Sequence, residues 1–267
     1  MSIIQAIILG IVQGLTEFLP ISSSAHLNVF PWIFNWEMLS EGMDVALHIG
    51  TLLALVIFFF KDWVKLVKAG YKKVVKKEDS KDGRIFWYLV AATIPAGILS
   101  LILDKVSEAI VGDDINFQMA IIAGTLIIMG IILYIVDKKS KSTTNYENIS
   151  LKQSILIGAS QAIAAAFPGV SRSGITMTVA RALKVDRESA AKFSFMLAMP
   201  ITLAAVIFDL SSFTFDLALI LGIVASFITG VIVIKFLLDY LKKGSFKVFA
   251  VYRVIFGIVI LGLYFLR

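Results

Sequence analysis

The chain has 267 residues, 58% of them hydrophobic and only 16% charged, with no cysteine and a mean hydropathy of +0.89. Soluble domains carry about 45–50% apolar and about 25% charged residues. The balance excludes a disordered chain, a disulfide-stapled secreted domain and a Cys-ligated metal protein, and it points to an all-α polytopic membrane protein. The net charge of +6 reads as that of cytoplasmic loops, and no nucleic-acid partner is expected.

In chain order, residues 2–36 form a long apolar stretch broken at Pro20 and at Ser22, Ser23 and Ser24. A first span of about 20 residues is predicted over 43–60, and residues 1–60 contain no Lys or Arg. Lys61–Arg84 follows, with nine Lys/Arg against four acids. It is read as a basic anchor or as an amphipathic segment that meets anionic headgroups. Spans are predicted over 85–103 and 116–136, joined by a connection with Asp104, Glu108, Asp113 and Asp114. Asp137–Lys152 is basic. A second broken stretch occupies 150–183, and three more spans follow at 189–208, 215–238 and 248–266. Asp209–Asp216 holds only acids, whereas Leu238–Lys247 is basic again.

The positive-inside rule places Lys61–Arg84, Asp137–Lys152, Arg181–Glu188 and Leu238–Lys247 in the cytoplasm, which leaves both chain ends on the far side. Trp32, Trp36, Trp63 and Trp87 fit interfacial belts. The first residues lack the positive region of a cleavable signal peptide. With these sides fixed, each broken stretch enters and leaves on one side, as a re-entrant helix pair. Such backbone survives at membrane depth only where protein covers it or a wet cavity solvates it.

The two broken stretches resemble each other. At a shift of 148, Ser2, Gln5, Ile7, Gly10, Gln13, Pro20 and Ser23 fall on Ser150, Gln153, Ile155, Gly158, Gln161, Pro168 and Ser171. A looser match at a shift of 150 relates 53–58 to 203–208. The chain is therefore read as one membrane domain, 1–267, of two inverted-topology repeats, 1–137 and 150–267. Each is a re-entrant helix pair plus three transmembrane helices, the plan of secondary transporters whose broken helices meet at one site.

Both breaks carry polar side chains in segments destined for the membrane, where ionisable groups mark function. Gln13 and Glu17 share a helical face. Ser22, Ser23 and Ser24 stand where a helix would begin, and Ser171, Arg172 and Ser173 repeat the device after Pro168 and Gly169. Helix N-termini attract anions, and an Arg fork suits phosphate oxygens. The pattern points to a phosphate or diphosphate site. Glu17 would then hold a divalent cation or accept a proton. Taken singly, the serines read as simple caps, His26 as a structural histidine and Arg172–Glu17 as an ion pair locking the halves. His48 reads as a packing or hydrogen-bonding residue near the site. Glu37, Glu41 and Asp44 are expected to face the outer water.

The runs QGLTEFLPISSSAH (13–26) and PGVSRSGIT (168–176), with FKVFAVYR (246–253), resemble the undecaprenyl-diphosphate phosphatase, or bacitracin-resistance, family over essentially the whole chain. Gln13 stands where some members have Glu. The resemblance implies a bacterial plasma-membrane enzyme whose site opens to the outer face. It would convert undecaprenyl diphosphate to the monophosphate, recycle the carrier lipid for cell-wall synthesis and confer bacitracin resistance. It also implies a divalent metal, Mg or Ca, and a homodimer. Carried onto this chain, Arg172 stabilises transferred charge, and Ser22, Ser24, Ser171, Ser173 and Thr176 cradle the phosphate. Glu17 binds metal or activates the attacking group, with Gln13 and Gln161 in support. Ser23 is the nucleophile or positions water. His26 is the general acid/base, or alternatively the nucleophile through a phospho-imidazole. The reading of a different class is a transporter or flippase of an anionic isoprenoid lipid. A third reading, a lipid phosphatase of the phosphatidic-acid phosphatase type 2 superfamily, is disfavoured because its Lys-x6-Arg-Pro and Pro-Ser-Gly-His elements are absent.

Overall fold

The computed structural model describes residues 1–112, 114–208 and 216–267, side chains at 104, 106 and 108–110 excepted. Of the acids expected in the two outer connections, Asp113 and Asp209 lie outside the described residues, as do the side chains of Asp104 and Glu108. No strand occurs among the described residues beyond one isolated bridge, Thr144 to Val185.

The helices run α1 (Ile3–Thr16), α2 (Ser23–Phe34), α3 (Glu41–Phe58), α4 (Phe60–Val75), α5 (Lys81–Val111), α6 (Ile115–Lys139), α7 (Leu151–Ala159), α8 (Gln161–Ala166), α9 (Arg172–Ala182), α10 (Arg187–Phe208), α11 (Leu217–Leu241) and α12 (Lys247–Leu266). Six are long and apolar enough to cross a bilayer: α3, α5, α6, α10, α11 and α12. They are the six spans expected from the sequence. The fourteen residues of α1 rise only about 21 Å, short of a hydrocarbon core about 30 Å thick. The helices α2, α7, α8 and α9 are shorter still, and a turn separates α1 from α2 and α8 from α9. The second stretch carries an additional break at Ser160, between α7 and α8, that its sequence pattern did not announce. The basic segment after α3 is helical as α4, with Val67, Tyr71 and Val74 exposed beside its lysines.

Apolar surface has no water to escape within a bilayer, so close packing and buried polar contacts hold the helices together. On α1, Gly10 and Gly14 face Gly222, Ser226 and Gly230 of α11. A Cβ on Gly14 would stand 2.6 Å from the Ser226 carbonyl oxygen, a separation no side chain tolerates. Ser226 in turn donates to the Leu47 carbonyl at 2.8 Å, tying α11 to α3.

Two polar junctions fix the ends. Asp137 of α6 is buried and accepts from Arg181 Nε and Arg187 Nε, each at 2.8 Å, and from the Phe246 backbone N–H at 3.1 Å. Three of the connections placed in the cytoplasm by charge therefore meet on one carboxylate. The chain termini gather at the other junction: the Met1 ammonium lies 3.8 Å from Glu37, and Arg267 donates to the Trp32 and Ile33 carbonyls at 2.6 and 3.0 Å.

A candidate active site between two broken helices

The two breaks share local devices. Ser2 and Ser150 each form a reciprocal capping box with the Gln three residues on. Ser22 and Ser171 each cap the helix after the turn, with φ of 76° and 71°. That left-handed backbone costs a non-glycine residue about 1–3 kcal/mol and persists only where the surroundings enforce it. Each capping hydroxyl lies 3.2 Å from the serine hydroxyl two residues on, Ser24 or Ser173. Ser22 thus matches Ser171, whereas the shift of 148 paired Ser23 with Ser171. The second turn holds one more residue after its proline, and Gly169, at φ +90°, supplies the tight backbone there.

Arg253 of α12 enforces the strained turns. Fully buried, it donates from Nη1 to the Pro20 carbonyl at 3.2 Å and from Nη2 to the Gly169 and Val170 carbonyls at 2.9 and 3.0 Å. One guanidinium therefore clamps both breaks. Ser173 Oγ adds a bond to the Leu19 carbonyl at 3.1 Å, and Thr125 Oγ1 donates to the Pro168 carbonyl at 2.6 Å. Arg253→Met strips the donor from three buried carbonyls, at about 1–3 kcal/mol each. A lowered thermal transition of the purified variant in detergent is the expected outcome.

A cavity of about 470 Å3 opens between the breaks, within the range of small-molecule sites. Glu17 is its centre. One carboxylate oxygen accepts Arg172 Nη2. The other accepts Ser23 Oγ at 2.7 Å and Gln13 Nε2 at 3.1 Å, and lies 3.6 Å from His48 Nε2. Arg172 Nη1 donates to Thr202 Oγ1 of α10 at 2.6 Å. His48 Nδ1 donates to the Asp44 carbonyl at 2.9 Å, with the Asp44 carboxylate 3.7 Å away. Ser22, Ser24, Ser171 and Gln161 also line the cavity. The N-termini of α2 and α9, whose first N–H groups lack helical acceptors, begin at this wall.

The structure places the remaining site candidates elsewhere. Thr176 is buried against Ser194 Oγ at 2.7 Å and its own helix carbonyls, and Ser173 is spent on Leu19; neither lines the cavity. His26 does not reach it either. Its Nδ1–H donates to the Ser22 carbonyl at 2.7 Å, and Nε2 accepts the Tyr252 hydroxyl at 2.7 Å. The ring stacks on Phe256 with centroids 4.5 Å apart and faces a separate apolar cleft beside Leu15 and Phe30. Both ring nitrogens of His26 are thus bonded, one of them to the Ser22 turn. Asp44, expected in the outer water, lines the cavity mouth beside His48. Thr202 was not foreseen, since nothing in its α10 surroundings distinguishes it from other helical threonines. Among the described residues no three His, Asp or Glu side chains are grouped to hold a metal.

These features define an integral membrane protein with a hydroxyl–carboxylate–guanidinium cluster, centred on the buried Glu17, between two broken helix pairs. The chain belongs to the bacitracin resistance protein BacA family, whose model matches residues 6–259. It is 43% identical to the undecaprenyl-diphosphatase of Pelotomaculum thermopropionicum, covering 98% of this chain and 97% of the relative. It is 41% identical to that of Moorella thermoacetica, with full coverage of both. The enzyme of Gemmatimonas aurantiaca is 44% identical over 97% of each chain.

Proposed function

We infer that this chain is an undecaprenyl-diphosphatase, releasing inorganic phosphate from undecaprenyl diphosphate and leaving the monophosphate carrier lipid. Loss of the diphosphate removes the target of bacitracin. The observation that carries the reading is the Ser23–Glu17–Arg172 cluster, a hydroxyl bonded to a carboxylate beside a guanidinium in one cavity.

Nucleophile and base within hydrogen-bond reach are the signature of an activated hydroxyl. Ser23 Oγ attacks the terminal phosphorus and its proton passes to Glu17. The bond from that phosphorus to the bridging oxygen breaks, and the lipid monophosphate departs. Water then cleaves the phosphoserine, releases phosphate and returns the proton to Ser23. Arg172 opposes the charge gathering on the equatorial oxygens, as do the first N–H groups of α2 and α9. His26 and Arg253 act through the turns they hold.

A divalent ion fits the donor set. Mg²⁺ needs only one or two carboxylates beside phosphate oxygens and water. Glu17 supplies one; Gln13 faces that carboxylate through Nε2, and its partnerless Oε1 would reach an ion there with the amide turned over. Glu17 and Gln13 would hold the ion, which when bound supplies Lewis-acid polarisation of the phosphoryl oxygens. Phosphate release by the purified protein is expected to stop with chelator and to return with Mg²⁺ or Ca²⁺. No release under any metal from folded protein would move the reading to lipid translocation.

The two-repeat plan has support in the packing. The helix α1 packs on α11 as α7 and α8 pack on α5, α3 packs on α11 as α10 does on α5, and the pairs α6 with α12 and α3 with α10 pack on each other. A two-fold relation exchanging 1–137 with 150–267 produces these exchanges, with α4 as an insertion. With the basic connections inside, the cavity opens towards the outer face of the plasma membrane.

A further inference from the structure

We propose that the isoprenoid chain of the substrate leaves the catalytic cavity sideways, through a gap at Ala205 between α10, α8 and α5, and lies along the lipid-facing side of these helices. The proposal rests on the lipid-diphosphate reading above.

The cavity has two chemically distinct sides. Towards α2 and α3 it is serine, Asp44 and His48; towards α8 and α10 it is Ala164, Ala165, Ile201, Ala205 and Val206. Small side chains on the second side leave a slot where larger ones would close a wall. Ala205 lines the cavity and is itself exposed. Phe208, one turn on along the same side of α10, is 77% exposed, and Leu101 of α5, next to the cavity-lining Ser100, is 65% exposed. On spanning helices such apolar exposure faces lipid, so the cavity meets the bilayer at Ala205.

The substrate's own shape requires such an opening. Some 470 Å3 accommodates a diphosphate and the first isoprene units, since sites of roughly 300–1,000 Å3 enclose drug-sized ligands. The rest of an undecaprenyl chain has to continue into an apolar medium. The other apolar hollow near the breaks, lined by Leu15, Leu19, His26 and Tyr252, shares no lining residue with the cavity. A tail in that cleft would have to cross the packed turn that carries Glu17.

The test compares undecaprenyl diphosphate with a ten-carbon isoprenyl diphosphate as substrates. In Ala205→Trp, the ratio of kcat/KM for the long over the short substrate is expected to fall at least about tenfold, the loss of tail binding alone. Ile258→Trp, equally lipid-facing but on α12 and away from the cavity, leaves that ratio within about twofold. An unchanged ratio in Ala205→Trp, or a selective loss in Leu15→Trp instead, overturns the proposal. Because the chain has no cysteine, Ala205→Cys adds a readout independent of turnover and of how Ala205→Trp folds. Undecaprenyl diphosphate, unlike inorganic diphosphate, is expected to slow maleimide labelling of the new thiol at least about tenfold. Equal labelling with either compound refutes the route. A protein that binds the lipid at Ala205 and releases no phosphate would sink the phosphatase reading alone.

Discussion

With Ser23 replaced by alanine, phosphate release from undecaprenyl diphosphate is expected to fall by at least about 10³-fold, with substrate binding largely kept. Ser23 is the hydroxyl that donates to Glu17, at 2.7 Å. Its neighbours are otherwise engaged: Ser22 caps α2, and Ser22 and Ser24 lie against each other. Acid quenching of the wild-type enzyme during turnover should trap a phosphoryl group on the peptide containing Ser23, visible by mass spectrometry. Trapped phosphate on His26 instead would overturn the assignment and require its Nε2 to give up the Tyr252 hydroxyl. No trapped phosphoryl group, with the Ser23→Ala loss intact, would leave Ser23 as the residue that positions water.

The second large effect is at Arg172. Removing a group that meets developing charge costs about 10²–10³ in kcat, and Arg172→Ala is expected to lose at least that. It also strands Glu17, which is buried in a site whose carboxylate accepts the guanidinium. Breaking one partner out of a buried pair costs about 3–5 kcal/mol, so the alanine variant loses stability as well. Arg172→Lys separates the two effects. An ammonium keeps the charge beside Glu17 but lacks the planar fork that reaches Glu17 and Thr202 together. Steady-state rates together with thermal unfolding are the measurements. A lysine variant that recovers stability and stays at least about 10²-fold slow identifies the fork as the working feature. Full activity in that variant would reduce Arg172 to a counter-charge.

The six spans were legible because twenty-residue apolar runs between charged connections leave few alternatives; their ends stand within about four residues of those expected, except that α5 continues from 103 to Val111. The breaks were legible because Pro20 and Pro168 are each followed within three residues by serines that suit a helix N-cap, the mark of one helix ending and another beginning. Glu17, Ser23 and Arg172 were legible as ionisable or polar groups inside membrane-bound segments. What remained hidden depended on long-range contacts. His26 Nε2 is bonded to Tyr252, 226 residues away. Its position in the motif is the same whether it faces the cavity or the cleft. Asp44 was read as a surface acid because nothing local to it shows that α3 turns it and His48 towards Glu17. Thr176 and Ser173 sit in a motif whose spacing suits a phosphate cradle, yet their hydroxyls are taken by Ser194 and Leu19. The one-residue offset between the repeats was masked by the shared proline, after which Gly169 lengthens one turn only.

The clamp formed by Arg253 has a consequence for biogenesis. Ribosomes deliver a chain from its N-terminus, and both turns leave long before position 253 is made. Until α12 inserts, nothing donates to the carbonyls of Pro20, Gly169 and Val170 from that side. The serine hydroxyls therefore gain their held geometry only once α12 has inserted, more than eighty residues of synthesis after the second turn. A chain interrupted before α12 would lack a competent site, so this helix acts as a check that the preceding ones are in place.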